Sequence, residues 1–331
     1  MKPKIGIIPG DPSGIGPELI ARLLSSEGVA VAADILLIGD AHVFEAGQNV
    51  AQCQYDLVPA DVTTNWTVEQ GFAHHAMDTI APDEIRVAEV SQEGGASVLQ
   101  TLDQALEFVQ TGVIDAIVFG PFNKASMHLA GLGHDDELHY MAEKLGVTSY
   151  ISELNTLDGM WTSRVTSHIP LRDVADTISE ERVTEAVHLI HNVLRRSGVE
   201  RPRISVAAIN PHAGDGGNFG TEEIDILEPT VKKLAGGQIS IDGPWPSDTV
   251  FLKAVAKDID AVVTMYHDQG QIALKLLGFD RGVTVQGGLP FPVSTPAHGT
   301  AFDIAGQGRA DVGATRAAFD IACDMVTHWD N

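Results

Sequence analysis

The chain has 331 residues, of which 44% are apolar and 20% charged, as expected for a folded protein of about two domains. Its 45 acidic and 21 basic side chains give a net charge of −24, which repels phosphate backbones and anionic lipid surfaces. We therefore predict no nucleic-acid partner and no membrane partner, and the two widely separated cysteines indicate a reducing, cytoplasmic setting.

Short apolar runs rich in β-branched residues alternate with helix-like segments along the chain. The strand-like runs are Ile5–Ile8, Ile35–Ile38, Ile114–Phe119, Ile204–Ile209, Ala261–Met265 and Val283–Val285. Apolar residues at helical spacing predict one helix over 96–109 and another that begins after Ser179 as N-cap and stops at Gly198. Alternating strands and helices predict an α/β fold, and since no linker is visible, its domains are expected to be discontinuous.

The first strand-like run enters a glycine-containing loop, "GIIPGDPSGIGPEL", which precedes helix-forming residues. Loops of this kind often hold nucleotide phosphates. The third glycine of a Rossmann fingerprint is missing after Gly14 and Gly16, and no Gly-Lys-Ser/Thr of a Walker A motif follows. The loop by itself is therefore either a structural tight turn or a ligand loop.

A second glycine-rich loop, "HGTAFDIAGQGRAD", lies near the end of the chain. Together with "PGDPSGIGPE" it resembles the paired cofactor loops of the isocitrate and isopropylmalate dehydrogenase superfamily. The resemblance implies a non-Rossmann fold, NAD or NADP as cofactor, and two loops that lie close together in space. The predicted cofactor-binding residues are Gly10, Asp11, Gly14, Gly16, His298, Gly299, Thr300, Ala301, Asp303 and Ile304.

We predict two α/β domains of this superfamily type, with the active site in the cleft between them. The cofactor-side domain comprises residues 1–125 plus 286–331. Residues 126–285 form the domain for metal binding, substrate binding and dimerisation.

Three histidines each stand at or just past the end of an apolar run. They occur in "TSHIPL" (His168), "NPHAGDGG" (His212) and "MYHDQG" (His267). Strand ends are where sites gather in α/β sheets, and neutral imidazole is the commonest protein ligand of metal ions. A single such histidine is more often a structural hydrogen-bonding group, but three of them predict one divalent metal site.

The motifs "GPFNKA", "NPHAGDGGNFGTEE", "DGPWPSDTVF", "MYHDQG" and "AHGTAFDIAG" occur in this order and span nearly the whole chain. This set resembles the 4-hydroxythreonine-4-phosphate dehydrogenase family of pyridoxine biosynthesis. The resemblance implies a homodimer with shared active sites, in which His168 and His212 of one subunit and His267 of the other hold the metal. Zinc, magnesium, manganese and cobalt all remain candidates.

The same resemblance implies substrate contacts by Lys275 and His134, and Asp248 and Asp268 are expected to orient groups of the site. A divalent ion lowers the pKa of a bound hydroxyl, after which hydride passes to the nicotinamide. If the resulting ketone lies β to a carboxylate, loss of CO2 can follow.

The chain departs from the family at three substrate contacts. It has Thr284 and Val293 where the family has Asn and Arg, and Asp135 where the family has Thr. Val cannot bind a phosphate or carboxylate, so we predict a substrate other than 4-hydroxythreonine 4-phosphate. Alternation in the strand-like stretch "SRVTSH" makes Arg164 a candidate anion anchor on the same face as His168, although a pairing with a surface carboxylate is the alternative.

The sequence thus predicts a divalent-metal-dependent NAD(P) dehydrogenase that oxidises a secondary hydroxyl of a 3-hydroxy acid. Relatives acting on four-carbon sugar-acid phosphates or aromatic cis-dihydrodiol carboxylates are alternatives within this class. A metal-dependent hydrolase or lyase, or a non-catalytic metabolite binder, is the alternative outside it.

Overall fold

A computed structural model describes residues 2–278 and 280–329 of the chain. Positions 1, 279, 330 and 331, which fall within the predicted domains, lie outside the described residues. The chain forms two compact units. The first comprises residues 2–148 and Leu289–Trp329, and the second comprises Ser149–Gly288.

The described residues form strands at β1 (Lys4–Ile8), β2 (Asp34–Gly39), β3 (Leu57–Pro59), β4 (Phe72–Ala76), β5 (Ala116–Phe119), β6 (Ser152–Leu157), β7 (Met160–Arg164), β8 (Arg203–Ala207), β9 (Ser240–Trp245), β10 (Ala261–Thr264), β11 (Val283–Gly287) and β12 (Val293–Pro296). Their α-helices are α1 (Gly16–Leu24), α2 (Val29–Ala32), α3 (Ala41–Ala51), α4 (Gln92–Gln110), α5 (Lys124–Leu129), α6 (Glu137–Lys144), α7 (Val174–Thr177), α8 (Glu180–Arg196), α9 (Glu228–Ala235), α10 (Ser247–Val255), α11 (His267–Gly278) and α12 (Gly313–His328).

The first unit is built on parallel strands in the order β3-β4-β2-β1-β5-β12. The central strands are almost continuously apolar because helices cover both faces of a parallel sheet. Ile5 and Ile7 of β1 and Val118 of β5 are fully buried, and Phe44 of α3 and Phe319 of α12 pack into the same core. The loops that follow β1, β5 and β12 therefore emerge at one edge of this sheet.

The second unit is built on mixed strands in the order β11-β6-β7-β10-β8-β9. Strands β11, β6 and β7 pair antiparallel, whereas β7, β10, β8 and β9 run parallel. Helix α8 buries Val183, Val187, Ile190 and Leu194, the apolar stripe that the sequence predicts. The three strands β7, β10 and β8 are neighbours, which sets where their following turns lie.

The predicted α/β class is confirmed, and each of the six predicted strands is present with small shifts at its ends. Helix α8 begins after Ser179, whose hydroxyl accepts a hydrogen bond from Arg182 N at 3.3 Å. Helix α4 begins earlier than the predicted start because Ser91 caps it by accepting from Gly94 N.

The strand-like prediction for "SRVTSH" is wrong beyond Arg164. Strand β7 ends at that residue, the chain bends at Val165, and His168 lies in a further bend. The period-two alternation therefore does not carry His168 onto the face of Arg164. No helix in the described part of the chain combines the length and apolarity needed to cross a membrane.

Candidate active site

The two predicted cofactor loops are neighbours in the first unit. Ile15 N donates a hydrogen bond to Thr300 O at 3.1 Å, which joins the N-terminal loop to the late loop. An added Cβ on Gly14 would lie 2.8 Å from the Thr300 Cβ, so the two backbones approach as closely as glycine allows. Ile304 packs with Ile15 in an apolar cluster at the same place. The structure thus brings together two loops that are almost 300 residues apart in sequence.

Glycine is required in the N-terminal loop by close backbone contact. A Cβ on Gly16 would lie 2.1 Å from Pro9 O, and a Cβ on Gly10 would lie 2.5 Å from the Gly120 carbonyl. Gly10 also has a φ of +82°, a region that favours glycine. Gly299 is different, because it is exposed and an added Cβ there would meet no atom of the described chain within 4 Å. Gly299 leaves open space where a ligand can approach the backbone.

Asp11 holds the N-terminal loop from inside. Its side chain is fully buried, and its Oδ1 accepts a hydrogen bond from Ser13 N at 2.8 Å. Burial raises the pKa of the Asp11 carboxyl, and hydrogen bonds from Ser13 and Ser126 oppose that rise. The buried Asp11 carboxyl therefore fixes the shape of the N-terminal loop. Asp303 of the late loop, by contrast, is exposed to solvent.

The other late-loop residues have distinct surroundings. His298 is partly exposed, and its Nδ1 lies 3.1 Å from Gly299 O. Thr300 is buried, and its Oγ1 accepts a hydrogen bond from Asn123 Nδ2 at 3.4 Å. Ala301 has a φ of +42°, so the backbone turns sharply there.

The three predicted metal-binding histidines follow the carboxyl ends of adjacent parallel strands in the second unit. His168 follows β7, His267 begins α11 just after β10, and His212 lies in the turn after β8. Parallel strands bring their carboxyl ends to one edge of a sheet, where α/β proteins place their sites. In this chain, a histidine directly after an apolar run therefore marks the carboxyl end of a parallel strand.

The rings of His168 and His267 of the same chain are neighbours, with centroids 5.6 Å apart and planes tilted by 47°. Zinc–nitrogen bonds are about 2.0–2.1 Å long, so this separation leaves room for one ion when a nitrogen of each ring points toward it. His267 Nδ1 lies 2.6 Å from Asp268 Oδ1, which orients the ring and leaves Nε2 for a ligand. The orienting role of Asp268 in a metal site stays a prediction.

His212 does not join this pair in the single chain. Its ring lies 6.3 Å from that of Phe219, and its backbone is in the left-handed region. Among residues 2–278 and 280–329, no group of three or more His, Cys, Asp and Glu side chains is close enough to hold a metal ion. The described chain places His168 near His267 and His212 apart from both, so the predicted ligand set, with His267 supplied by the other subunit, stays a prediction.

A buried polar network covers one face of β11, β6 and β7. Asn155 is its centre: Nδ2 donates to Thr284 Oγ1 at 2.9 Å, and Oδ1 accepts from Gln271 Nε2 at 2.5 Å and from Arg164 Nη1 at 3.3 Å. Gln271 lies one turn before Lys275 on α11, so the two side chains share a face of that helix. The network links Thr284 and Arg164 to the helix that carries Lys275.

Arg164 is already paired within this network. Its Nη2 donates to Glu153 Oε2 at 2.6 Å, and the guanidinium side chain is only 5% exposed. Pairing with a carboxylate was the alternative to its proposed role as an anion anchor. Glu153 neutralises the charge that would attract an anionic substrate.

The remaining predicted substrate residues lie nearer the solvent. In the first unit, His134 Nε2 is 2.5 Å from Glu143 Oε2, and Asp135 is exposed. In the second unit, Lys275 is exposed on α11, and Asp248 is exposed in the first turn of α10.

Sequence reasoning missed Asn155, Gln271 and Gln269. Gln269 and Gln271 flank a glycine in "MYHDQGQ", and that motif is the signal that could have found them. Asn155 stands in an ordinary strand sequence, "SELNTL", that gives no such signal.

Residues 31–322 match the family model described as pyridoxal phosphate biosynthetic protein PdxA. A Pseudomonas aeruginosa protein, provisionally named 4-hydroxythreonine-4-phosphate dehydrogenase 2, is 54% identical over 330 residues, covering 98% of each chain. The crystal structure of 4-hydroxythreonine-4-phosphate dehydrogenase from Klebsiella pneumoniae is 32% identical, with a TM-score of 0.84 and 98% of each chain covered.

A terephthalate 1,2-cis-dihydrodiol dehydrogenase structure from Burkholderia xenovorans is 27% identical, with a TM-score of 0.65, covering 96% of this chain and 98% of the other. The predicted family resemblance is confirmed by the first three matches. The chain belongs to the PdxA family and is an NAD-dependent oxidoreductase that acts on a CH–OH group.

Proposed function

We propose that this enzyme uses a divalent metal ion to oxidise the secondary hydroxyl of a 3-hydroxy acid, with loss of CO2 when the ketone lies β to a carboxylate. The observation that carries the proposal is the placement of His168, His212 and His267 at the carboxyl ends of three adjacent parallel strands. A divalent ion held by these histidines would lower the pKa of a bound hydroxyl. The ion is zinc, magnesium, manganese or cobalt.

The chain's own residues bind and orient the substrate. Thr284 Oγ1 accepts a hydrogen bond from Asn155 Nδ2, so the proton of the Thr284 hydroxyl can be donated to a substrate oxygen. Lys275 supplies a positive charge for an anionic group, which a chain of net charge −24 must provide locally. His134 is a further substrate contact, with Glu143 holding its ring.

The joined glycine loops of the first unit hold the dinucleotide. The open space at Gly299 lets a phosphate approach the backbone, and the buried Asp11 keeps the neighbouring loop in shape. An exposed carboxylate such as that of Asp303 can accept a hydrogen bond from the ribose 2′-hydroxyl of NAD, whereas it would repel the 2′-phosphate of NADP. Asp303 is therefore the proposed contact for the ribose of NAD.

The substrate is proposed to differ from 4-hydroxythreonine 4-phosphate. Val293 is fully buried and apolar, Thr284 is shorter than the family's Asn, and Arg164 is already neutralised by Glu153. The family resemblance makes the positively charged Lys275 a substrate contact, which favours a four-carbon sugar-acid phosphate. The likeness to the terephthalate dihydrodiol dehydrogenase favours an aromatic cis-dihydrodiol carboxylate as the second candidate.

A homodimer with shared active sites is part of the proposal. Large apolar side chains are exposed on two helices of the second unit, and such patches mark association surfaces. They are Leu252 and Val255 of α10 and Ile272, Leu276 and Leu277 of α11. The cleft location of the site and the cytoplasmic setting stay predictions.

The test is formation of reduced nicotinamide from a panel of hydroxy acids, with purified enzyme and each candidate metal in turn. The proposal expects turnover of at least one acid, loss of turnover with chelator or in His267→Ala, and little change in His188→Ala, an exposed histidine of α8. A hydrolase, lyase or metabolite binder would give no reduced nicotinamide with any acid, and that result would overturn the proposal.

A further inference from the structure

The turn that carries His212 has an unusual backbone. Consecutive residues adopt left-handed dihedral angles, with φ of +55° at His212, +53° at Ala213, +79° at Gly214, +44° at Asp215 and +63° at Gly216. Left-handed conformation is strained for residues with a Cβ and usually occurs singly. Strained backbone persists only where its surroundings over-determine it. Some part of the structure must therefore impose this turn.

The side chain of Glu223, which follows the turn in sequence, packs inside it and is fully buried. Its Oε1 accepts hydrogen bonds from Ile209 N at 2.9 Å and Asn210 N at 2.8 Å, and its Oε2 accepts one from Asn210 Nδ2 at 2.9 Å. A carboxylate that accepts three hydrogen bonds in a buried place is a strong constraint. These bonds fix the backbone immediately before His212.

The carboxylate also explains the glycine inside the turn. An added Cβ on Gly214 would lie 2.8 Å from Glu223 Oε2, so the turn closes around the carboxylate. Phe219 N donates to Gly214 O at 3.2 Å and closes the far side. The motif "NPHAGDGGNFGTEE" therefore encodes a turn together with the side chain that shapes it.

Gln269 links this region to the turn that carries His267. Its Oε1 accepts from Met265 N at 2.7 Å, and its Nε2 donates to Ala208 O at 2.8 Å. Ala208 follows β8 directly and Met265 follows β10 directly. One side chain thus ties together the two strand ends from which His212 and His267 extend.

We propose that Glu223 and Gln269 are positioning residues that hold the His212 turn in place before a divalent ion binds. Glu223 sets the shape of the turn, and Gln269 sets its position relative to the start of α11. The inference rests on the proposed function, because that function makes His212 a metal ligand.

Glu223→Gln tests the shape of the turn. The new amide keeps one acceptor oxygen but places an N–H donor opposite Asn210 Nδ2, which is itself a donor. Gln269→Met removes both links while keeping a similar volume, and it serves if Glu223→Gln fails to fold. Glu228→Gln and Gln238→Met, both exposed in the same unit, are the matched controls.

The readouts are Co²⁺ affinity, followed by the visible spectrum of the metal, and hydrogen exchange of the Ile209 and Asn210 amides without metal. We expect Glu223→Gln and Gln269→Met each to bind Co²⁺ about tenfold more weakly than their controls, equivalent to about 1.4 kcal/mol, with unchanged NAD affinity. Faster exchange of both amides is expected in Glu223→Gln. Added Co²⁺ should restore kcat, which general unfolding would not allow.

A His212→Ala variant separates the proposal that His212 is a metal ligand from the inference that Glu223 and Gln269 position its turn. If it binds Co²⁺ as tightly as the wild type, His212 is not a ligand and that part of the proposed function fails. If it binds weakly while Glu223→Gln and Gln269→Met both bind like their controls, the positioning inference is overturned and the metal site stands.

Discussion

The cofactor loops of the first unit and the histidine turns of the second unit both follow the carboxyl ends of parallel strands, but close backbone contact is the main constraint on the first and side-chain hydrogen bonds are the main constraint on the second. In the first unit backbone lies directly against backbone, as between Gly16 and Pro9. In the second unit side chains such as Glu223 and Gln269 hold the backbone through hydrogen bonds. The first arrangement fails when a methyl group is added, and the second fails when a polar atom is removed.

Loss of a metal ligand should give the largest effect. We expect His267→Ala to lower kcat/KM by at least about 1,000-fold, because a catalytic metal ion supplies several kcal/mol of charge stabilisation. Metal content should fall with activity, as measured on the purified protein, and the same holds for His168→Ala. Full metal occupancy in the His267→Ala protein would remove that histidine from the site.

The backbone contact of the first unit is tested by Gly16→Ala. The methyl group would meet Pro9 O at 2.1 Å, and a backbone carbonyl cannot move aside easily. We expect the free energy of unfolding to fall by about 3 kcal/mol, as measured with urea. Gly299→Ala is the control and should change it by less than about 0.5 kcal/mol, since the space there is open. Equal losses would contradict the comparison.

The hydrogen-bonded arrangement of the second unit is tested by Arg164→Met. Removal of the guanidinium leaves Glu153 without its partner, so we expect stability to fall by about 2 kcal/mol. The Arg164→Met, Glu153→Gln double variant should recover part of the loss. KM for the best hydroxy acid should stay within about twofold, since Arg164 is already engaged. A large rise of KM would instead support its role as a substrate anchor.

The smallest expected effect sharpens the role of Gly299. Gly299→Val fills open space, so folding and metal content should be unchanged, whereas NAD should bind about tenfold more weakly because the side chain blocks its approach. Calorimetric titration with NAD measures this change. Unchanged affinity in the folded variant would show that the cofactor lies elsewhere.

The difference between the two units also explains what could be predicted from the sequence. Glycines such as Gly14 and Gly16 and histidines such as His168 are visible as letters in recognisable motifs, and the apolar runs before them mark strand ends. The α/β class and the family therefore followed from the sequence.

The side chains that pair through hydrogen bonds in the second unit could not be identified from the sequence alone. Asn155 meets Thr284 only because β6 pairs antiparallel with β11 in one register, and strand pairing cannot be read from a single strand. The pairing of Arg164 with Glu153 depends in the same way on the register of β6 and β7. The prediction for "SRVTSH" was wrong because alternating letters do not show that a strand ends at Arg164.

The His212 turn has one further consequence, which concerns chirality. Its dihedral angles are the mirror image of those in an ordinary helical turn, so the natural L-configuration is the strained one at Ala213. A D-alanine at this position, introduced by chemical ligation, would have its Cβ where a left-handed backbone leaves room. In this short stretch the backbone adopts the conformation that L-amino acids disfavour and D-amino acids prefer.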